Sequence, residues 1–91
     1  MDTAEIEATM LGMLESRGPG KTLDPGEVAR ALGGPKPDGW SPYMPAIRRV
    51  AVRLAKAERL VILRKGRPVD PDDFRGLYRL GLPGADEQAV D

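Results

Sequence analysis

Residues 44–63 read MPAIRRVAVRLAKAERLVIL, and their pattern changes from helical to extended near Arg59. Up to that point the apolar residues fall on one side of a helix drawn at 100° per residue, and the cations fall on the other side. The run that follows, Leu60-Val61-Ile62-Leu63, is short, apolar and prone to β-structure. The segment therefore predicts an amphipathic helix that leads directly into a β-strand.

Two further helices are predicted before this segment. Asp2 and Glu5 have the spacing of a capping box, and the apolar pattern behind them predicts a first helix that ends near Ser16. Asp24-Pro25-Gly26-Glu27 combines an N-cap, a proline in the first turn and the reciprocal partner of a second capping box. Gly33-Gly34 can adopt the left-handed conformation that ends a helix, so we expect a second helix of about eight residues.

The connections on either side of the long helix are less regular. Residues 35–39 form a connector, and the start of the third helix is ambiguous because Pro42 and Pro45 each suit a first helical turn. After the strand, Lys65-Gly66 predicts a turn, and residues 77–80 predict the second strand of a hairpin. Three helices followed by a β-hairpin wing are the order of an α+β winged helix-turn-helix fold.

Size and composition fit one small domain. The chain has 91 residues, of which 41% are hydrophobic and 31% charged, an ordinary balance for a globular protein. We expect a winged-helix domain over residues 1–83 and a polar C-terminal tail over residues 84–91. No apolar run approaches the roughly 20 residues that span a bilayer, and the acidic N-terminus is unlike a signal peptide. We therefore expect a cytoplasmic protein with no membrane partner.

The residue types that carry most enzyme chemistry are missing. The chain has no cysteine and no histidine, which removes disulfides, thiolate zinc sites and the commonest general base. Gly20-Lys21-Thr22 resembles the end of a phosphate-binding loop, but Glu15 stands where that loop requires glycine. The aspartates within residues 70–73 resemble calcium ligands, yet turn formation explains them. We expect no enzyme, no cofactor and no metal site.

Charge is distributed unevenly along the chain, although the net charge is zero. Residues 48–79 hold ten lysines and arginines against four acids, whereas residues 1–47 and residues 80–91 are both acidic on balance. A basic segment of this kind indicates a polyanionic partner, and it is also compatible with a helix face that is charged simply to remain in water.

The cations of the basic segment are the candidate nucleic-acid ligands. In a helix-turn-helix the second helix of the pair enters the major groove, which here is helix three. Arg48, Arg49 and Arg53 are the predicted groove-facing residues, because guanidinium pairs bidentately with phosphate or guanine. Lys56 and Arg59 lie further along and are expected to meet phosphate. Arg64-Lys65-Gly66-Arg67 forms the hairpin tip and is expected to reach a flanking phosphate or the minor groove.

Two classes of partner are compatible with this pattern. The first is duplex DNA, bound by helix three and the wing, with a role in transcriptional regulation. The second is a protein partner or a homodimer, in which the acidic and basic halves of the domain dock another chain. The placement of charge in the folded domain separates them. One surface formed by Arg48, Arg49, Arg53 and Arg64 to Arg67 would favour DNA, and acids that lie among these cations would weaken the DNA hypothesis.

Several blocks of this sequence resemble a bacterial family known as domain of unknown function 3253. These blocks are Arg17-Gly18-Pro19-Gly20-Lys21-Thr22, Pro25 with Glu27-Val28-Ala29-Arg30, Trp40 with Met44-Pro45-Ala46-Ile47-Arg48, Arg53-Leu54-Ala55, Val69-Asp70-Pro71 and Arg75-Gly76. The resemblance implies a small winged-helix-like domain and brings no established activity. The sequence departs from the expected pattern at Glu58, near the position where a glycine would end the third helix.

Overall fold

The computed structural model of the protein describes residues 2–85. Its elements follow one another in the order α1 (Thr3–Arg17), β1 (Thr22–Leu23), α2 (Pro25–Gly33), α3 (Pro37–Trp40), a 3-10 turn (Ser41–Tyr43), α4 (Met44–Lys56), β2 (Val61–Arg64), β3 (Arg67–Pro68) and β4 (Arg79–Gly81). Of the predicted C-terminal tail, Ala85 is buried, and residues 86–91 lie outside the described residues.

The first two helices begin at the predicted caps. The Asp2 carboxylate accepts a hydrogen bond from the Ala4 amide at the start of α1. Both halves of the capping box of α2 are present, because Asp24 accepts from the first turn and Glu27 accepts from the Asp24 amide. Arg17, which donates to Glu27, and that amide hold the pKa of Glu27 below its usual range. This ion pair joins the end of α1 to the start of α2.

The predicted connector between the second and third helices is partly helical. Residues 37–40 form the single turn α3, and a 3-10 turn joins α3 to α4. Of the two candidate prolines, Pro45 occupies the first turn of α4. Gly33 and Gly39 allow α2 and α3 to meet closely, since a Cβ on Gly33 would lie 2.1 Å from the carbonyl oxygen of Gly39. Helix α4 is therefore the third long helix that was predicted.

All four strands form one antiparallel sheet in the order β1-β4-β2-β3. Strand β4 lies between β1 and β2 and begins two residues later than the predicted second strand, at Arg79. The wing consists of β2, the turn Lys65-Gly66 and β3. Both turn residues have positive φ, 53° and 79°, as in the two-residue type I′ turns that match strand twist.

The helices cover one face of this sheet. Leu23, Ile62 and Leu80 project from three adjacent strands and are almost fully buried. They belong to one core with the apolar stripes of the helices, which comprise Ile6, Met10, Leu14, Val28, Ala29, Ile47, Val50, Ala51 and Leu54. The α+β prediction is confirmed, and the arrangement is compatible with a winged-helix-like fold. Within residues 2–85, every helix is too short or too polar to cross a membrane.

Candidate nucleic-acid interface

Helix α4 carries most of the candidate cations, and its amphipathic pattern orients them. Ile47, Val50 and Leu54 are buried on one side of the helix. The cations lie outside this buried stripe. Some of them contact protein groups and others have no partner among the described residues.

Arg48 is half-buried and turned toward the protein. Its Nη2 donates to the carbonyl oxygen of Phe74 at 2.6 Å, and its Cζ lies 3.9 Å from the centre of the Phe74 ring. The same guanidinium carbon is 5.8 Å from the centre of the Tyr78 ring. Arg48 therefore fixes the segment before β4 against α4, and its guanidinium faces the protein instead of a groove.

Cations in the second half of α4 and just after its end are paired with acids from elsewhere in the chain. Glu7 of α1 accepts from Arg53 and from Arg59, with N–O distances of 2.9 Å in both pairs. Lys56 Nζ lies 2.6 Å from a carboxylate oxygen of Asp72. These acids lie close to the predicted DNA-binding cations in space although they are distant in sequence, which weakens the DNA hypothesis for this part of the helix.

The three wing cations are also unequal. Arg64 Nε donates to the carbonyl oxygen of Leu77 at 2.9 Å. A Cβ on Gly76 would lie 3.1 Å from Arg64 Nη2, so this guanidinium rests against the backbone that leads into β4. Lys65 and Arg67 are exposed at the tip, and neither has a hydrogen-bond or ion-pair partner among residues 2–85.

Four exposed cations in the described part of the chain have no such partner and lie on connected segments. We call them the cationic set: Arg49, Lys65, Arg67 and Arg75. The Arg48–Phe74 contact places the segment carrying Arg75 beside the part of α4 that carries Arg49. The Arg64–Leu77 hydrogen bond joins the same segment to the wing.

Arg75 was not among the residues proposed from the sequence, because it lies on neither the long helix nor the hairpin tip. Its neighbour Phe74 is buried, at 7% exposure, in a segment whose many polar residues predict only a surface turn. The sequence signal that could have identified Arg75 is its position next to Phe74, an apolar aromatic residue in an otherwise polar segment.

Tyr78 lies beside the contact between Arg48 and Phe74. Its ring meets the Phe74 ring edge-on, with the ring centres 5.3 Å apart. The hydroxyl is buried and has no hydrogen-bond partner among the described residues. Burial raises the pKa of Tyr78 to about 12, and the nearby Arg48 guanidinium opposes that rise.

Within residues 2–85, acidic side chains form no cluster of three or more that could hold a metal ion. A comparison with curated proteins gave no match. The model of the family described as "Protein of unknown function (DUF3253)" matches residues 3–83, so the chain belongs to this family, as the sequence blocks indicated.

Proposed function

We propose that this domain binds duplex DNA through the cationic set. Arg49, in the first half of α4, enters the major groove and pairs there with a phosphate or with guanine, while Lys65 and Arg67 meet the phosphates that flank it. Arg75, between the two, contributes a further phosphate contact. Arg48 and Arg64 act as positioning residues, because their bonds go to the Phe74 and Leu77 carbonyls.

The observation that carries this proposal is the continuity of the cationic set. Two internal arginine contacts join the three segments that carry this set, which are α4, the segment around Arg75 and the wing. The cations of that set have no protein acceptor among residues 2–85, so their binding to phosphate does not require an internal ion pair to break. With about four phosphate contacts, affinity is expected to fall roughly 100-fold between 50 and 200 mM salt.

Fluorescence anisotropy of a labelled mixed-sequence duplex tests the proposal. The test variant combines Arg49→Gln with Lys65→Asn, because asparagine suits the left-handed turn position that Lys65 occupies. The matched control combines Arg53→Gln with Lys56→Gln, which removes the same charge from the acid-paired half of α4.

We expect the test variant to lose roughly tenfold in affinity at low salt and about two units of the logarithmic salt slope. The control is expected to retain most of the affinity and nearly the whole slope. Equal losses in the two variants, or no binding by the wild type at low salt, would overturn the proposal.

The acid-paired half of α4 favours a second function, a protein-interaction surface. Glu7 and Asp72 lie among the cations there, so this region presents both signs of charge, as protein interfaces commonly do. Light scattering across a range of protein concentrations tests association with a second copy. A mass that stays monomeric at every concentration would exclude the homodimer.

A further inference from the structure

A cavity lies near the base of the wing, between β2 and the segment that leads into β4. It measures about 370 Å³, within the size range of pockets that take small molecules. Leu63 and Arg64 of β2 line it together with Leu77 and Arg79, which lie before and at the start of β4. Leu63 pairs with Arg79 across the two strands.

Arg64 supplies a positioned charge to this cavity. Its Nε is used in the bond to the Leu77 carbonyl, and its guanidinium rests against Gly76. Within residues 2–85 its two terminal nitrogens have no acceptor and no carboxylate pairs with it. A guanidinium held in this way can bind a planar or tetrahedral oxyanion through both nitrogens at a reduced entropic cost.

The other charged groups of the cavity also favour an anion. Lys65 and Arg79 add two cations. The Arg79 Nε is anchored by the Thr22 hydroxyl at 2.7 Å. Asp24 is the one acid in the lining, and its Oδ1 is occupied as the N-cap that accepts from the Gly26 amide. The cavity is therefore lined by three cations and by one carboxylate, and that carboxylate already caps α2.

The apolar part of the cavity indicates that the anion has an organic body. Leu77 is 92% exposed, the only large hydrophobic side chain of the described residues in that condition. Leu63, which also lines the cavity, is buried. A ligand that spans from Arg64 to Leu77 would remove the exposed apolar surface of Leu77 from water.

We propose that the cavity binds a small organic anion whose carboxylate or phosphate pairs with Arg64 and whose apolar body covers Leu77. The assignment does not depend on DNA binding, because it rests on the cavity and on a guanidinium outside the cationic set. Carboxylate and phosphate share the chemistry that Arg64 offers, so the choice between them is experimental.

Two-dimensional NMR of the isotope-labelled full chain, without nucleic acid, tests this site. The probes are benzoate and phenyl phosphate, and benzamide serves as the uncharged match. We expect saturable shifts of the Arg64 Nε–H signal and of the amides of residues 77–79 with at least one anion, and no such shifts with benzamide. The anion that binds more tightly identifies the oxyanion class.

Arg64→Gln is expected to weaken binding about tenfold or more, whereas Arg67→Gln removes the same charge from the wing outside the cavity and leaves affinity nearly unchanged. Arg64→Lys retains the charge without the fork and is expected to bind weakly, which keeps the test valid if the glutamine variant unfolds. Leu77→Ser is expected to weaken binding about threefold or more. The proposal fails if neither anion gives saturable shifts up to about 20 mM, if benzamide binds equally, or if Arg64→Gln and Arg67→Gln behave alike.

Discussion

At the scale of single residues, Arg48 joins two distant parts of the chain. It donates a charged hydrogen bond to the Phe74 carbonyl and stacks on the Phe74 ring, while its backbone belongs to α4. The carbonyl is separated from Arg48 by 26 positions in sequence. Loss of the side chain would leave that carbonyl without its partner and uncover part of the ring.

We predict that Arg48→Ala lowers the free energy of unfolding by about 1–3 kcal/mol, because a charged hydrogen bond and a cation–π contact are lost together. Urea denaturation followed by circular dichroism measures the change. Arg49→Ala is the control, since Arg49 is exposed and has no protein partner among residues 2–85, and it should change stability by less than about 0.5 kcal/mol. Equal effects of the two substitutions would contradict a structural role for Arg48.

The buried hydroxyl of Tyr78 gives a second prediction at this scale. The hydroxyl has no partner among the described residues, so Tyr78→Phe is expected to raise the free energy of unfolding by about 1 kcal/mol at neutral pH. Burial raises the folded-state pKa of Tyr78 from 10.0 to about 12. The free energy of unfolding therefore depends on the ionisation of this phenol: the stability linked to its neutral form is fully present below pH 10 and is lost as the pH rises through about 12.

Denaturation at neutral pH and at several values between pH 10 and 12 measures both effects. The wild type should lose more stability over the alkaline interval than Tyr78→Phe does, and Tyr43→Phe serves as the control for removal of a tyrosine hydroxyl elsewhere in the domain. Identical alkaline profiles for the wild type and Tyr78→Phe would show that this phenol is not protected from ionisation.

At the scale of elements, the end of α4 depends on a residue in an unfavourable conformation. Glu58 has a φ of 61°. The amide of Glu58 donates to the Ala55 carbonyl, and the amide of Arg59 donates to the Leu54 carbonyl at 2.9 Å. These two bonds form a Schellman motif, in which the left-handed position is usually glycine because a Cβ is strained there.

We predict that Glu58→Gly stabilises the protein by about 1 kcal/mol, since relief of the left-handed strain exceeds the added entropy of the unfolded chain. The thermal midpoint and urea denaturation both report the change. Glu58→Ala removes the same charge but keeps the Cβ, and it should give no comparable gain. If alanine stabilised as much as glycine, the effect would belong to the carboxylate and not to the backbone.

At the scale of the whole molecule, the sequence predicts those features that depend only on residues close to one another in the chain. The helix starts at Asp2 and Asp24 follow from capping residues and their nearest neighbours, and the turn at Lys65-Gly66 follows from its glycine. The surroundings of the cations do not follow in this way. Glu7 reaches Arg53 across 46 positions of sequence, and periodicity within α4 contains no information about an acid on another helix.

The same long-range pairing determines which cations a polyanion can use. Glu7 holds both Arg53 and Arg59, and its own side chain is only 25% exposed, whereas the arginines are 58% and 55% exposed. The acid is thus partly enclosed while its partners extend into solvent. A phosphate backbone near this end of α4 would have to compete with an internal carboxylate for both guanidinium groups.

Glu7→Gln is therefore predicted to tighten binding to a mixed-sequence duplex by about three- to tenfold at low salt, because it releases two arginines for phosphate contacts and steepens the salt dependence. Stability should fall by less than about 1 kcal/mol, since both pairs are solvent-exposed on the arginine side. Glu15→Gln changes the net charge equally on the same helix, and Glu15 is exposed with no ion-pair partner within residues 2–85. Anisotropy titrations of both variants separate local release from overall charge, because an equal gain from Glu15→Gln would show that Arg53 and Arg59 contribute nothing once freed from Glu7.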